Sequence, residues 1–198
     1  MPWWGVASSA VAPVLLIGGW TVAAARQPGD FDPVDRTISA LAALDATDRW
    51  VMTAGLAGLG ACHVVTALAL RPLAVPGRLL LAAGGVATVL VAAFPQPGGD
   101  EPSAAHTAAA GAAFTALSLW PALAWRRGAA GLPARAALGL GAAVVLTGLL
   151  GWFAVELAID DGRVGLAERV TAGAQAVWPL TAVLALRSSV EQRRQRRG

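Results

Sequence analysis

Apolar and charged residues alternate along the chain in long blocks. Met1 to Ala25, Trp50 to Leu70, Leu79 to Pro95, Pro102 to Trp125, Ala136 to Val155 and Val170 to Leu186 contain no Asp, Glu, Arg or Lys. About 20 mostly apolar residues in a helix cross a hydrocarbon layer of roughly 30 Å. Backbone in lipid must satisfy its own hydrogen bonds, so an uncharged run of this length is expected to span as a helix. The pattern predicts an all-α polytopic membrane protein, a single domain over 1–198 built as a six-transmembrane-helix bundle. The expected helices are 5–25, 50–70, 77–95, 103–125, 136–158 and 168–186, followed by a basic tail, 187–198.

The longest polar connection runs from Arg26 to Arg49. Within it, Asp32-Pro33-Val34-Asp35 is a helix-start signal: Asp32 suits the cap, Pro33 the first helical position, and Asp35 the positive first turn. Ile38, Leu41, Ala42 and Leu44 then fall near helical spacing, with Arg36, Ser39 and Asp45 elsewhere. This predicts a short amphipathic helix lying on the outer leaflet, serving either as a connector or as a lid over a site between the helices.

Composition narrows the picture. At 198 residues and 56% hydrophobic, the chain has no room for a second, soluble domain. A formal charge of +3 and a pI near 10.9 invite a nucleic-acid partner. However, all fifteen basic residues are Arg and sit at the ends of apolar runs, so the expected partner is the lipid bilayer and not nucleic acid. Taking alternate connections, one set holds Arg71, Arg78, Arg126, Arg127, Arg135, Arg187, Arg193, Arg194, Arg196 and Arg197 against one acid, Glu191. The other set holds Arg26, Arg36, Arg49, Arg163 and Arg169 together with Asp30, Asp32, Asp35, Asp45, Asp48, Asp100, Glu101, Asp160, Asp161 and Glu168. The bias puts both termini in the cytoplasm and the acidic loops outside. Absent Lys and Tyr with abundant Ala and Gly point to a GC-rich bacterial genome, hence the bacterial plasma membrane. The tail arginines serve orientation or bind anionic headgroups, at about 1 kcal/mol each. The first run ends in Ala23-Ala24-Ala25, but its start carries no basic residue and it exceeds a signal-peptide core, so a retained helix is expected.

The single cysteine, Cys62, excludes an internal disulfide and reads as a small packing residue. Gly55 and Gly58 share its helix face, and Gly141, Gly148 and Gly151 mark the fifth helix; small residues let helices approach closely in lipid. Trp3, Trp4, Trp50, Trp120, Trp125, Trp152 and Trp178 fall near helix ends, where interface anchors are expected.

Ionisable groups inside spanning helices cost roughly 2.5 to 3.5 kcal/mol at the centre on insertion scales, so they are the candidate site residues. Glu156 lies about a turn before the outer end of the fifth helix, with Asp160 four residues on. It is either a buried acid for proton transfer or a structural ion pair with Arg163 or Arg169. His106 begins the fourth helix, behind Asp100 or Glu101 as cap and Pro102, and shares a level with Glu156 and Arg169. His63 lies deeper, as a packing histidine or a proton relay. No paired-histidine, HExxH, GxSxG, P-loop or dinucleotide pattern occurs, and nothing in the sequence specifies a metal or cofactor.

Several segments taken together resemble a known family. They are Ser39-Ala40-Leu41-Ala42 before Arg49-Trp50, Phe94-Pro95 with His106-Thr107 a dozen residues on, and Gly165-Leu166-Ala167-Glu168-Arg169 leading into a last helix that contains Trp178. Over Val11 to Arg187 the chain resembles the bacterial and archaeal membrane family called domain of unknown function 998. The resemblance implies a small polytopic membrane protein and assigns no activity. Its matching positions are Ser39, Arg49, Pro95, His106 and Arg169, all on the expected outer side.

The expected site is therefore an outer-face cluster. His106 and Glu156 are the acid–base candidates, Arg49 and Arg169 would hold an anionic group, and Asp35 and Ser39 come from the lid. Three functions stay open: binding or transport of an amphiphile or small solute, an intramembrane lipid hydrolase or transferase using His106 and a carboxylate, and a non-catalytic assembly or scaffold protein.

Overall fold

The computed structural model describes residues 1–29, 31–98, 103–125, 132–159 and 161–195, with side chains for all of these except 132–135 and 189–195. Six α-helices follow in order: α1 (Trp3–Ala24), α2 (Trp50–Ala69), α3 (Val75–Ala93), α4 (Ala104–Leu123), α5 (Leu132–Ile159) and α6 (Val164–Gln195). Each packs on the next, and α6 closes the ring against α1 while also touching α2 and α4. Among the described residues there is no strand. By length and apolarity α1, α2, α3 and the Ala136–Ile159 part of α5 qualify to cross a membrane.

Helix contact depends on glycine at particular levels. Gly19 meets Gly55 between α1 and α2, and Gly60 meets Gly85 so closely between α2 and α3 that a Cβ on either would overlap the other's carbonyl oxygen. Where lipid supplies no hydrophobic drive, such backbone proximity is the main source of attraction. The α5 glycines behave otherwise. Gly141, Gly148 and Gly151 face open space and bring no neighbour close, because α5 lies on the rim with most of its surface outward. Their expected packing role is not what the structure gives them.

Two apolar clusters fill the bundle. One, at the end where α1 begins, gathers Leu70, Leu73, Leu81, Leu117, Trp120, Val183 and Leu186, with Met1 packed against it. Trp120 is buried there at 1% exposure, which corrects its reading as an interface anchor, whereas Trp3 and Trp50 are exposed as anchors should be. The second cluster lies toward the opposite end and joins Leu16, Met52, Leu56, Leu59 and Val91 to Ile38, Leu41 and Ala42 of the first loop.

That loop departs from expectation. Asp32 does cap a turn, its Oδ1 accepting from Val34 N at 2.8 Å and its carbonyl from Arg36 N at 2.8 Å, but the turn stops there. Among the described residues of the loop the only helix is a 3-10 turn, Ser39–Ala42. Ile38, Leu41 and Ala42 are each at most 2% exposed, so this apolar face points into the bundle as a plug and does not lie on a membrane surface. The loop neck is tied by an Arg26–Asp48 ion pair at 3.1 Å and by Gln27, whose amide pairs with Thr47. At the other end of the molecule α6 runs on to Gln195, so part of the expected tail is helical. The side chains of Arg193, Arg194, Arg196 and Arg197 lie outside the described residues, as do Asp100, Glu101, Pro102 and Asp160.

Candidate functional site

Three polar side chains from distant parts of the chain meet beneath the plug. Ser39 opens the 3-10 turn. His106 lies in the first turn of α4, held where Ser103 caps that helix by accepting from His106 N at 3.3 Å. Ser103 thus takes the capping role expected of Asp100 or Glu101. Glu168 lies in the second turn of α6, where the positive end of the helix dipole favours a carboxylate. His106 Nε2 is 3.0 Å from Ser39 Oγ, and Ser39 Oγ is 3.3 Å from Glu168 Oε1. Glu168 Oε2 accepts a short hydrogen bond from Ile38 N–H. His106 Nδ1 is 2.9 Å from the carbonyl oxygen of Phe94, at the end of α3. Both His106 and Glu168 are 4% exposed.

Counting donors limits the proton arrangements these contacts allow. The Phe94 carbonyl only accepts, so His106 Nδ1 carries a proton and a neutral imidazole presents a lone pair at Nε2. Ser39 has one hydroxyl proton to give. If it goes to His106, the Ser39–Glu168 contact is a hydrogen bond only when Glu168 is protonated. If it goes to Glu168, the His106–Ser39 contact is a hydrogen bond only when His106 is an imidazolium. Every contact is satisfied when one labile proton is shared across the three groups, and moving it from Glu168 to His106 through Ser39 exchanges the two arrangements.

The start of α6 anchors the loop from which Ser39 projects. Gly162, with φ +83°, makes the sharp reversal after α5 that L side chains disfavour. Leu166 N then donates to the Val34 carbonyl at 2.9 Å. Gly165 lies against the Arg36 and Pro33 carbonyls, where a Cβ would overlap backbone. Arg169 Nη1 donates to the carbonyls of Pro33 at 2.7 Å, Arg36 at 2.6 Å and Gly165 at 3.0 Å, and its guanidinium stands 6.0 Å over the Phe31 ring. These contacts explain why α6 begins at Val164: its first turns are docked on the loop.

Two spaces border the triad. A cleft of about 280 Å³ runs between α4 and α5, past Gly111, Thr115, Phe153 and Leu157, and ends on Ser39, His106 and Glu168. A smaller cavity of about 50 Å³ lies deeper, between the two apolar clusters. Ser39 and Glu168 line both.

Of the residues singled out from sequence, Ser39 and His106 are brought together. Glu156 is buried on α5 outside both spaces, with Oε1 accepting from Trp152 Nε1 at 2.7 Å and Oε2 without a partner among the described residues. Arg169 is engaged by the loop carbonyls and does not face the cleft. Arg49 precedes α2, away from both spaces, and Asp35 is exposed on the loop's far side. Glu168, which occupies the place expected of Glu156, went unrecognised, although it stands inside the Gly165–Arg169 segment that carries the family resemblance. No three His, Cys, Asp or Glu side chains among the described residues are placed to hold a metal ion.

A family model described as Protein of unknown function (DUF998) matches residues 10–185. The chain belongs to this family. Its apolar helices and this membership make it an integral membrane protein whose family description assigns no activity. No curated protein and no solved structure matches the chain. The matched span takes in Ser39, Phe94, His106 and Glu168, so the whole triad and its carbonyl anchor fall within the family region.

Proposed function

We propose that the protein binds a neutral, hydroxyl-bearing amphiphile, taken from the outer leaflet of a bacterial plasma membrane, with its chain between α4 and α5 and its head on the His106–Ser39–Glu168 triad. In this reading all six helices span, both termini are cytoplasmic, and the plugged end of the bundle faces outward, as the arginine bias favours. The observation that carries the reading is the cleft: mostly apolar along α4 and α5, with Thr107 and Thr115 as its polar exceptions there, it ends on the triad. That matches the general design of ligand sites, an apolar pocket with a few convergent polar groups.

The head is assigned as uncharged because of where the charges are. Arg169, expected to hold an anion, gives its Nη1 to three carbonyl groups, keeps an Nη2 without a partner among the described residues, and does not line the cleft, where the acid is Glu168. A hydroxyl can accept from and donate to the triad without adding charge to a buried site. The Ser39–His106 contact also favours a second reading, an acyl hydrolase or transferase with Ser39 as nucleophile and His106 as base. Against it stands the Ile38 N–H, a natural oxyanion donor beside Ser39, which Glu168 already occupies.

Native mass spectrometry of protein purified from its own membranes tests the binding. The wild type is expected to carry a neutral amphiphile adduct, and Ser39→Ala combined with His106→Gln to lose it by about tenfold, two hydrogen bonds at roughly 0.5–1.5 kcal/mol each. An adduct equally abundant on the double variant contradicts a head group seated on the triad.

A further inference from the structure

The deeper cavity poses a separate question through His63. This histidine on α2 is 0% exposed, and neither ring nitrogen has a hydrogen-bond partner among the described residues. Buried polar atoms in native proteins are almost always paired with protein groups or water, and an imidazole always carries at least one donor. His63 lines the 50 Å³ cavity, whose wall also holds Thr88 of α3, Gln175 and Glu168 of α6, and Ser39 of the loop. A site holds ordered water when it is roomy enough and offers two to four polar partners, and this one has space for about two waters.

We propose that this cavity is an internal hydration site, and that its waters join His63 to the Glu168–Ser39–His106 triad as one proton relay reaching from the cleft to the waist of the bundle. The transfer conserves protons. The O–H bond of a protonated Glu168 breaks, each intervening water accepts one proton and passes on another, and an N–H bond forms on His63. The groups facing His63 across the cavity are Thr88 from α3, Glu168 and Gln175 from α6 and Ser39 from the loop, while α1 and α4 bring Leu16, Phe114 and Leu117. Glu168 is thus the one titratable group among those lining side chains that can exchange a proton with it. Toward the Met1 end, the Leu70, Leu81, Trp120 and Val183 cluster closes the cavity, so the relay is a dead end in this conformation and stores a proton rather than conducting it through. The inference stands on the cavity and on His63, whether or not the cleft takes an amphiphile.

The chain has two histidines, so ¹⁵N-histidine labelling with a His106→Gln variant assigns both rings without ambiguity. Water-edited solid-state NMR of the full-length protein in lipid nanodiscs then reads magnetisation passing from water to each ring. Transfer to His63 at a rate comparable to that of His106 is the expected result. A folded wild type in which His106 receives water magnetisation and His63 receives none overturns the proposal without recourse to any variant. Ala113 lines the cavity, so Ala113→Leu is expected to fill it and reduce transfer to His63 several-fold while leaving His106 unchanged; undiminished transfer to His63 would place its water elsewhere. Glu168→Gln removes the proton donor and is expected to change the hydrogen-bonding pattern of the His63 ring, read as shifts of its two ¹⁵N resonances. An unaltered pattern in that variant overturns the link to the triad.

Discussion

Glu168→Ala is expected to lower stability by about 2–5 kcal/mol and to release the first loop from the bundle. The carboxylate accepts from Ile38 N–H and lies 3.3 Å from Ser39 Oγ, both beneath the plug. Removing it leaves these buried groups without that partner, and each buried polar group left unmatched costs about 1–3 kcal/mol. A truncation also leaves a void against Ile38. Because Ile38, Leu41 and Ala42 share one apolar cluster with Leu16, Met52 and Val91, a loosened 3-10 turn exposes the top of the core. For a chain of this size the loss corresponds to a melting shift on the order of 10 °C. The lone thiol of Cys62, half-buried against that same cluster, supplies the reporter: a thiol-reactive dye should label it at a lower temperature in the variant. Glu168→Gln keeps an acceptor for the Ile38 N–H and should recover most of the difference. Equal losses in both variants would show that charge, and not the acceptor, holds the loop.

Gly60→Leu is expected to prevent folding, and Gly60→Ala to cost about 2–3 kcal/mol. Gly60 on α2 and Gly85 on α3 pack carbonyl to Cα, and a Cβ at Gly60 also falls 2.9 Å from Val89 N. The obstacle is backbone, which does not rotate away, so even one methyl must separate the helices. Overpacking in a tight interior commonly costs 1–3 kcal/mol where side chains alone have to yield. Gly18→Leu on α1 is the matched control, because a Cβ there meets nothing within 4 Å. Size-exclusion profiles and dye-monitored melting of the three variants check the prediction. A Gly60→Leu protein that melts with the wild type would mean that α2 and α3 do not approach as described.

How much of this the sequence discloses depends on the range of the interaction. The helices are legible because the rule that makes them is local: an uncharged run in lipid has to hydrogen-bond to itself, and each run became a helix. The loop was half legible. Ile38, Leu41 and Ala42 announce one apolar face, but spacing alone does not tell a helix lying on a surface from a turn plugged into a bundle. That choice is made by Glu168 and Arg169, about 130 residues away, which grip Ile38 N–H and the Pro33 and Arg36 carbonyls. The site shows the same division. His106 stands out as a histidine in an apolar helix, and Ser39 through the family segment. Glu156 drew attention because it interrupts an apolar run, whereas Glu168, at the border of a charged loop, read as one more loop acid. Two signals in the chain pointed to it: its place in the positive first turns of α6 and its position beside Arg169 in the family segment. The missing partners of His63 had no sequence signal at all, since they depend on what five different elements leave empty around it.

The central claim is that a lipid chain occupies the space between α4 and α5 with its head at the triad. Its most direct test is photo-crosslinking in vesicles containing a monoacylglycerol that carries a diazirine midway along its acyl chain. Gly111 lines the cleft and a Cβ there meets nothing within 4 Å, so Gly111→Phe should obstruct the cleft without disturbing the fold. The account predicts labels concentrated between Ala110 and Thr115 and between Leu150 and Leu157, lost in Gly111→Phe and kept in Gly18→Phe. Labels spread evenly over the lipid-facing surfaces of α1, α3 and α5, and indifferent to Gly111→Phe, would contradict it.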